Sequence, residues 1–376
     1  MTDYRILYLV VWLTILALYY VLGPAAYPPL TPGVIWIVLG LPTLGYALAS
    51  VIPQPRIRQV CVEDTKYETR LKYLFGLWGL LSVVSLAGGG PLPILAIGSN
   101  SYAEFGVSGI GGLQNSVALA IVPLFYLYYR SSGKKKYLAG VIIVVLWQIL
   151  TFRRGMFVTF IFQILVVRQI RYGSIGKVTA AVIALSIILI FGIIGDIRGL
   201  PNPYITLFSG WKRDLFEALP SGFTWVYVYA TSGVSNLANN YLHIPDCGNY
   251  FYPFGTVLPS FLRPVSECEY RLYNVSLNVG SVYSGLMSAG YLAICIYLTC
   301  LCYLYRRVFL KVQKFQTDGA ISAYSIPLIG ILFSPFSDLI FLPTYVFGII
   351  LLSYFPAPIS AIKRPKDPAC HCLATQ

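Results

Sequence analysis

Long apolar segments alternate with short polar segments along almost the whole chain. A helix needs about 20 mostly apolar residues to cross the hydrocarbon core of a bilayer, and stretches of about that length recur along this sequence. The pattern predicts about ten membrane-spanning helices. The predicted spans are residues 6–22, 34–52, 73–90, 113–129, 137–152, 156–170, 178–195, 279–304, 320–336 and 340–358.

The composition supports the same fold class. Of the 376 residues, 57% are hydrophobic and only 11% are charged, and the mean hydropathy is +0.71. One soluble core could not bury that much apolar surface, so we expect an all-α integral membrane protein that contacts the lipid bilayer. No internal repeat is visible, and we expect a single polytopic domain over residues 1–376. The apolar run ending at Leu22 lacks a small-residue cleavage site, which favours a first span over a signal peptide.

The basic residues lie in short clusters between the apolar runs. The formal net charge of +13 therefore indicates membrane topology, with no nucleic-acid partner, because nucleic-acid binding would need a continuous basic face. Cytoplasmic loops of membrane proteins are rich in Lys and Arg, so the side that carries the clusters is predicted to be the cytoplasm, with both termini on it. The basic positions predicted on that side are Arg5, 56–72, 130–136, 168–177, 306–314 and 363–366.

Residues 196–278 are predicted to form one long loop on the outer side. Within it, residues 220–242 are apolar and aromatic but contain three asparagines. A span there would move the basic cluster at 306–314 to the outer side, so we predict a re-entrant or interfacial helix instead. A long loop among short connections tends to carry function, and chemistry is expected in this one.

Two adjacent arginines, Arg153 and Arg154, form the turn between the fifth and sixth predicted spans. Helices of only about 24 Å and about 20 Å separate this turn from the basic residues Lys136 and Arg168, whereas the hydrocarbon core is about 30 Å thick. A charge in lipid costs at least about 2.5 kcal/mol, so we expect both arginines to face a polar, anion-binding cavity. The alternatives are that they extend to the interface or pair with an acid such as Asp338.

Three further arginines of the long loop are candidates for the same role, Arg198, Arg263 and Arg271. A guanidinium group suits phosphate because its planar fork donates paired hydrogen bonds and stays charged. Several converging arginines could hold a pyrophosphate. Taken singly, Arg263 or Arg271 could instead form a salt bridge with Glu267 or Glu269.

Aromatic residues are frequent in the same loop, Tyr227 and Tyr229 among them. Their flat apolar faces suit sugars as well as the membrane interface. The sequence contains only two histidines, of which His243 lies in the loop, so neither a metal site nor a cofactor is expected. Cys247 and Cys268 share the loop, and they are a candidate disulfide if the compartment is oxidising.

Several motifs in a fixed order resemble the oligosaccharide repeat-unit polymerases, the Wzy-type O-antigen polymerases of Gram-negative bacteria. The resemblance runs from about residue 100 to 310 and rests on the order and membrane placement of the motifs. One departure is 287–290 (MSAG), where the family often has an acidic residue before the glycine, so an acid there cannot be the base. The motifs are 105–115 (FGVSGIGGLQN), 153–155 (RRG), 191–198 (FGIIGDIR), 225–229 (WVYVY), 235–237 (SNL) and 277–283 (LNVGSVY).

The resemblance implies a GT-C-like, metal-independent, inverting glycosyltransferase of the bacterial inner membrane. Such an enzyme works at the periplasmic face and transfers a growing glycan from undecaprenyl pyrophosphate to a lipid-linked repeat unit. A chain-length regulator protein is a further implied partner. Fixed cations would neutralise the departing pyrophosphate in this reaction. The candidates for that role are Arg153, Arg154, Arg198, Arg263 and Arg271.

The acceptor hydroxyl also needs a general base or accurate positioning. The sequence does not choose among the acids and the histidine of the loop, and the candidates are Asp196, Glu267, Glu269 and His243. Asn278 and Tyr283, at the entrance of the eighth span, could bond sugar or phosphate, or could cap and pack the helix. The remaining substrate-binding candidates are Tyr227, Tyr229 and Asp338.

Two other functions fit the same features. An O-antigen ligase shares the architecture and the donor but transfers the glycan to lipid A-core. A lipid-linked oligosaccharide flippase or another transporter would also need cations in a membrane cavity, but transporters commonly contain paired repeats, which this sequence lacks. We therefore expect a polymerase.

Overall fold

The computed structural model shows a bundle of helices. It describes residues 3–24, 27–56, 61–95, 105–107, 109–151, 153–173, 175–197, 207–242, 280–337, 342–353 and 357–358, together with positions 255, 258, 262, 339 and 355. The helices are α1 (Tyr4–Leu22), α2 (Pro32–Val51), α3 (Asp64–Gly88), α4 (Ile110–Ser132), α5 (Lys135–Leu150), α6 (Arg154–Tyr172), α7 (Lys177–Ile197), α8 (Trp211–Ala218), α9 (Ser221–Leu242), α10 (Val282–Leu286), α11 (Gly290–Phe315), α12 (Asp318–Phe333) and α13 (Pro343–Ser353). Two short strands, β1 (Cys61–Val62) and β2 (Ala357–Pro358), pair in parallel.

Nine of the ten predicted spans each overlap one of these helices, and the eighth overlaps two, α10 and α11. Among the described residues, α1, α2, α3, α4, α6 and α11 are long and apolar enough to cross a membrane. Helices α12 and α13 are apolar but have only 16 and 11 residues. The chain is therefore a helical, multi-pass membrane protein, and the number of ten crossings stays a prediction.

The eighth predicted span, 279–304, has different bounds in the structure. After α10 and one 3-10 turn (Met287–Ala289), the backbone of Gly290 has φ of 76°, a left-handed conformation that interrupts the helix. Helix α11 begins there and continues to Phe315. The basic cluster at 306–314, which we predicted as a connection between spans, therefore lies on the last turns of α11.

Helix α2 contains one wide π-type turn, Trp36–Gly40. Pro42 follows this turn and has no backbone N–H, so it cannot donate to the carbonyl of Val38 as a normal helical residue would. The hydroxyl of Tyr8 on α1 donates to that carbonyl instead, at 2.5 Å. A side chain of the neighbouring helix thus supplies the hydrogen bond that the proline removes.

Helices α4 and α12 form the centre of the bundle. Every residue of α4 from Ser116 to Phe125 is buried, and so is every residue of α12 from Asp318 to Ile331. A polar side chain bonds this centre to α6: the side-chain amide of Gln163 on α6 donates to the backbone carbonyl of Leu119 on α4 at 3.0 Å. The outer helices surround these two and expose their apolar side chains, as expected for contact with lipid.

One end of the bundle carries the basic clusters, and we call it the lysine end. There the carboxylate of Glu68 on α3 accepts bonds from Lys134 and Lys136, which flank the turn between α4 and α5. Arg306 of α11 donates to the carbonyl of Ala49 at 2.9 Å, and Arg171 of α6 donates to Gln316 at 2.8 Å. These contacts agree with the prediction that the clusters share one side, and assignment of that side to the cytoplasm stays a prediction.

Helix α9 occupies the predicted position 220–242 within the long loop. Its glycines allow close contact with other helices: a Cβ on Gly222 would lie 2.2 Å from the carbonyl oxygen of Ile188 on α7, and one on Gly233 would lie 2.0 Å from that of Pro335. The Tyr227 hydroxyl of α9 donates to Leu18, near the end of α1 that points away from the lysine end. The re-entrant or interfacial position of α9 in the membrane stays a prediction.

Candidate functional site

The backbone of the α5–α6 hairpin fixes the position of Arg153. Its N–H donates to the carbonyl of Gln148 at 2.9 Å, and its own carbonyl accepts from Met156 at 3.0 Å and Phe157 at 3.1 Å. Arg153 is thus the N-cap residue of α6, and Arg154 is the first residue of that helix. The hairpin lies at the end of the bundle opposite the lysine end, which we call the arginine end.

The glycine-rich segment before α4 contacts the guanidinium group of Arg153. Gly106 and Gly109 have φ of 107° and 81°, which other residues rarely adopt. A Cβ on Gly111, in the first turn of α4, would lie only 3.1 Å from Nη2 of Arg153. The structure therefore brings together two motifs that the sequence separates by about 40 residues, 105–115 and 153–155.

Helix α3 closes one side of this contact. The N–H of Gly106 donates to the carbonyl of Gly89 at 3.4 Å, and a Cβ on Gly89 would lie 2.5 Å from the nitrogen of Gly106. The ring of Trp147 on α5 packs against Phe105 and against Trp78 of α3. The ends of α3, α4, α5 and α6 therefore meet around Arg153.

A layer of polar side chains lies directly beneath Arg153. The Gln114 amide of α4 donates to the hydroxyl of Ser82 on α3 at 2.7 Å. Helices α4 and α5 run antiparallel, and the rings of Phe125 and Tyr137 are 5.0 Å apart. Gln114 precedes Phe125 by eleven residues on α4, and Gln148 follows Tyr137 by eleven residues on α5. A helix rises about 1.5 Å per residue, so both glutamines lie about 16 Å from the ring contact, on the side of the arginine end.

Several polar atoms of this layer are buried without a hydrogen-bond partner among the described residues. We call the group the Arg153 cluster. The atoms are Nη1 of Arg153, Oγ of Ser85, Oε1 of Gln114, Oδ1 of Asn115, and both Oε1 and Nε2 of Gln148. Unpaired buried polar groups are unfavourable, so each of these atoms is available to hydrogen-bond a polar ligand.

The electrostatics of the Arg153 cluster favour an anion. In the described part of the chain, Arg153 takes part in no ion pair, and its guanidinium group lies beside the first turn of α4. That turn carries the positive end of the helix dipole, so it does not compensate the arginine charge. The amide and hydroxyl oxygens of Gln114, Asn115 and Ser85 accept hydrogen bonds. The site can therefore hold a group that is anionic at one point and rich in hydroxyls elsewhere.

An apolar cavity of about 580 Å³ lies on the other side of the hairpin. Helices α1, α6, α7 and α9 line it, together with residues that follow α12. Gly155, next to the two arginines, forms part of its wall. Characteristic lining residues are Thr14, Phe162, Ile187, Tyr229 and Phe336. Its lining can hold a flexible hydrocarbon chain, so the hairpin separates a polar cluster from an apolar cavity.

Three predicted site residues contact helices other than α5 and α6. The carboxylate of Asp196 accepts bonds from Ser221 at 2.6 Å and Trp225 at 3.1 Å, which join the end of α7 to the start of α9. Tyr227 is buried in an aromatic group beside α8. Tyr283 is buried 2.6 Å from the Tyr8 hydroxyl, next to Trp12. These contacts give all three residues a structural role, and their catalytic or binding roles stay predictions.

Tyr229, another predicted site residue, lines the apolar cavity, and its binding role stays a prediction. The remaining predicted site residues fall outside the described residues, as does the side chain of Arg154. The same holds for the two cysteines of the candidate disulfide. These positions are Arg198, His243, Cys247, Arg263, Glu267, Cys268, Glu269, Arg271, Asn278 and Asp338.

Sequence reasoning did not identify Gln148, Ser82 or Ser85 as site residues. A signal was available, because polar side chains within apolar spans are uncommon and usually face the interior of the bundle. As to metals, no three His, Cys, Asp or Glu side chains come together in the described ranges.

Comparison of the chain with protein-family models, with curated proteins and with solved structures finds no match.

Proposed function

We propose that this protein is a polymerase of lipid-linked O-antigen repeat units. The observation that carries the proposal is the arginine hairpin, which has unpartnered polar atoms, including Nη1 of Arg153, on one side and an apolar cavity of about 580 Å³ on the other. A polyprenyl-diphosphate-linked glycan has the matching chemistry: a hydrocarbon chain, a diphosphate and a polyhydroxylated sugar. The resemblance of the sequence motifs to the Wzy-type polymerases points to the same substrate.

In the proposed reaction, a hydroxyl of the lipid-linked acceptor attacks the anomeric carbon of the growing glycan. A new glycosidic bond forms, the bond from carbon to the diphosphate oxygen breaks, and undecaprenyl pyrophosphate leaves with the bonding electrons. The acceptor hydroxyl gives its proton to a base. Guanidinium groups held beside the diphosphate stabilise the developing negative charge, and fixed charges of this kind often supply the largest part of catalysis.

The Arg153 cluster supports a specific division of roles. Arg153 would bind the diphosphate, since its Nη1 atom is buried and has no partner among the described residues. Gln148 and Asn115 would bond hydroxyl groups of the adjoining sugar, because their side-chain oxygens are acceptors without donors. Arg154 of the hairpin and Arg198 of the loop are proposed to bind the same diphosphate, as the sequence motifs imply.

The test is deletion of the gene followed by complementation, with the cell's lipopolysaccharide separated on a gel. A polymerase defect leaves core that carries a single repeat unit. Bare core after deletion would refute the proposal and indicate a ligase or a flippase. The periplasmic location and the inner membrane are part of the same proposal, and a reporter fused after residue 242 tests the side on which the loop lies.

Complementation with point variants tests the arginines themselves. Arg153→Ala, Arg154→Ala and Arg198→Ala should each leave single repeat units although the protein is present in the membrane. Arg213→Ala is the matched control, because Arg213 is exposed and bonds Glu217 on its own helix at 2.7 Å. Full-length O-antigen in all three of these arginine variants would contradict the proposed role of the arginines.

A further inference from the structure

Three lysines surround one carboxylate at the lysine end. Glu68 accepts a bond from Lys136 at 2.6 Å, bonds Lys134 as well, and forms an ion pair with Lys72 at 3.5 Å. We call these four residues the Glu68 cluster. Its formal charge is +2, because one negative charge faces three positive ones.

The lysines remain accessible although Glu68 does not. The side chain of Glu68 is only 14% exposed, whereas those of Lys72, Lys134 and Lys136 are 61%, 46% and 56% exposed. Each ammonium group has three N–H donors, and the three lysines together have more donors than the carboxylate of Glu68 can accept. Like charges held close together repel, so a second anion on the open side of the cluster would be bound favourably.

The surface next to the cluster is apolar and faces lipid. Along α3, Lys72 is followed by Tyr73, Leu77 and Leu80, whose exposed fractions are 74%, 43% and 62%. An anion bound at the lysines would therefore have a hydrocarbon-compatible face directly beside it. A phospholipid has both parts, since its headgroup is charged and its acyl chains are apolar.

Two buried aromatic rings lie next to the lysines of the cluster. The ammonium groups of Lys134 and Lys136 lie 5.8 Å and 5.3 Å from the ring centres of Tyr128 and Tyr137. The Tyr128 hydroxyl also donates to Glu68 at 3.3 Å, so these contacts hold the cluster where α4 ends and α5 begins. Basic pockets between helices at the ends of membrane spans are suited to anionic lipid headgroups.

We propose that the Glu68 cluster binds the headgroup phosphate of an anionic phospholipid whose acyl chains lie along the exposed face of α3. The site is at the opposite end of the bundle from the Arg153 cluster. It is therefore independent of the proposed polymerase reaction, and it holds a lipid of the surrounding leaflet.

The experiment uses the purified full-length protein in a neutral detergent, titrated with phosphatidylglycerol or phosphatidylcholine and followed by native mass spectrometry. The wild type should bind phosphatidylglycerol more tightly than phosphatidylcholine. The double variant Lys72→Gln/Lys136→Gln should bind phosphatidylglycerol about 25-fold more weakly, since each basic residue near a membrane surface contributes about fivefold. Equal affinity for both lipids, or an unchanged affinity in the double variant, would overturn the proposal.

Two further variants separate lipid binding from simple ion pairing. Lys66→Gln is the matched control, because Lys66 pairs with Glu63, the N-cap residue of α3, at 3.1 Å and is 68% exposed, and it should leave the affinity unchanged. Glu68→Gln removes the internal competitor of the lipid and should tighten phosphatidylglycerol binding about fivefold. Weaker binding in Glu68→Gln would show that the lysines serve only the ion pairs and would overturn the proposal.

Inorganic phosphate distinguishes a lipid site from a site for a soluble anion. Phosphate alone should not raise the melting temperature at concentrations where phosphatidylglycerol does, because it lacks the chains that contact α3. Equal stabilisation by both ligands would overturn the assignment to a lipid.

Discussion

The contact between Gly111 and Arg153 gives the sharpest test of the proposed site. In a Gly111→Ala variant the new methyl carbon would lie 3.1 Å from Nη2 and 3.6 Å from Nη1 of Arg153, whereas ordinary contacts lie at 3.4–4 Å. The guanidinium group must then move by a few tenths of an ångström. Misplacement of a reacting group by about 1 Å can cost 100-fold in rate, so a shift of about a third of that should lower chain extension about fourfold.

The fold itself should tolerate Gly111→Ala. The three nearest atoms to the new carbon outside the helix's own backbone all belong to the end of the Arg153 side chain, and alanine in a helix is favoured over glycine by about 0.5–1 kcal/mol. We expect an unchanged or slightly higher melting temperature for the purified protein. Loss of chain extension without loss of stability is the combination that a binding role of Arg153 requires.

The neighbouring residue supplies a matched control. A Cβ on Gly112 would have its nearest neighbour, Oγ1 of Thr344, at 3.7 Å, which is ordinary contact. Gly112→Ala should therefore complement the deletion strain with a normal ladder of O-antigen lengths on a lipopolysaccharide gel. A normal ladder from Gly111→Ala, or an equal loss from both variants, would refute the reasoning.

Three other variants test the surroundings of the site. Gln148→Leu removes two unpaired buried amide atoms, so it should raise the free energy of unfolding by about 1–3 kcal/mol in a thermal melt. It should also shorten the O-antigen ladder. A lower melting temperature would contradict this reasoning. Ser82→Ala should lower stability by about 1 kcal/mol, since the Gln114 amide loses its acceptor, and Ser50→Ala on an exposed turn is its control. Asp196→Asn should keep chain extension within tenfold, as expected for a residue that joins two helices, whereas a loss of 100-fold or more would identify Asp196 as the base.

The helical elements could be predicted because apolar runs of spanning length leave few other structures in lipid. The bounds were less predictable where a residue changes the backbone locally. Gly290 breaks the eighth span through a positive φ, and the ion pairs of Glu68 allow α3 to begin at Asp64, several residues before its apolar part. Periodicity alone reports neither a backbone angle nor a partner from another helix.

The candidate site was predictable only in part. The short helices around the hairpin predicted recessed arginines, and in the structure Arg153 is partly buried, with its Nη1 atom unpartnered among the described residues. Anion binding by Arg153, and its alternative of a pair with Asp338, stay predictions. Its approach to Gly111 depends on how α4 and α6 pack, which the sequence pattern does not contain. The contacts of Asp196 likewise depend on the close packing of Gly192 on Gly222, so the sequence placed this acid among the candidate bases without showing its partners.

The burial of α12 from Asp318 to Ile331 affects how the chain is assembled in the bilayer. With 16 residues, α12 is about 24 Å long, shorter than the hydrocarbon core of about 30 Å. Its neighbours α4 and α6 are synthesised long before it. If translation stopped before residue 318, the helices made earlier would lack the central helix on which they pack. The bundle should therefore reach its final packing only after α12 has been synthesised and has inserted between them.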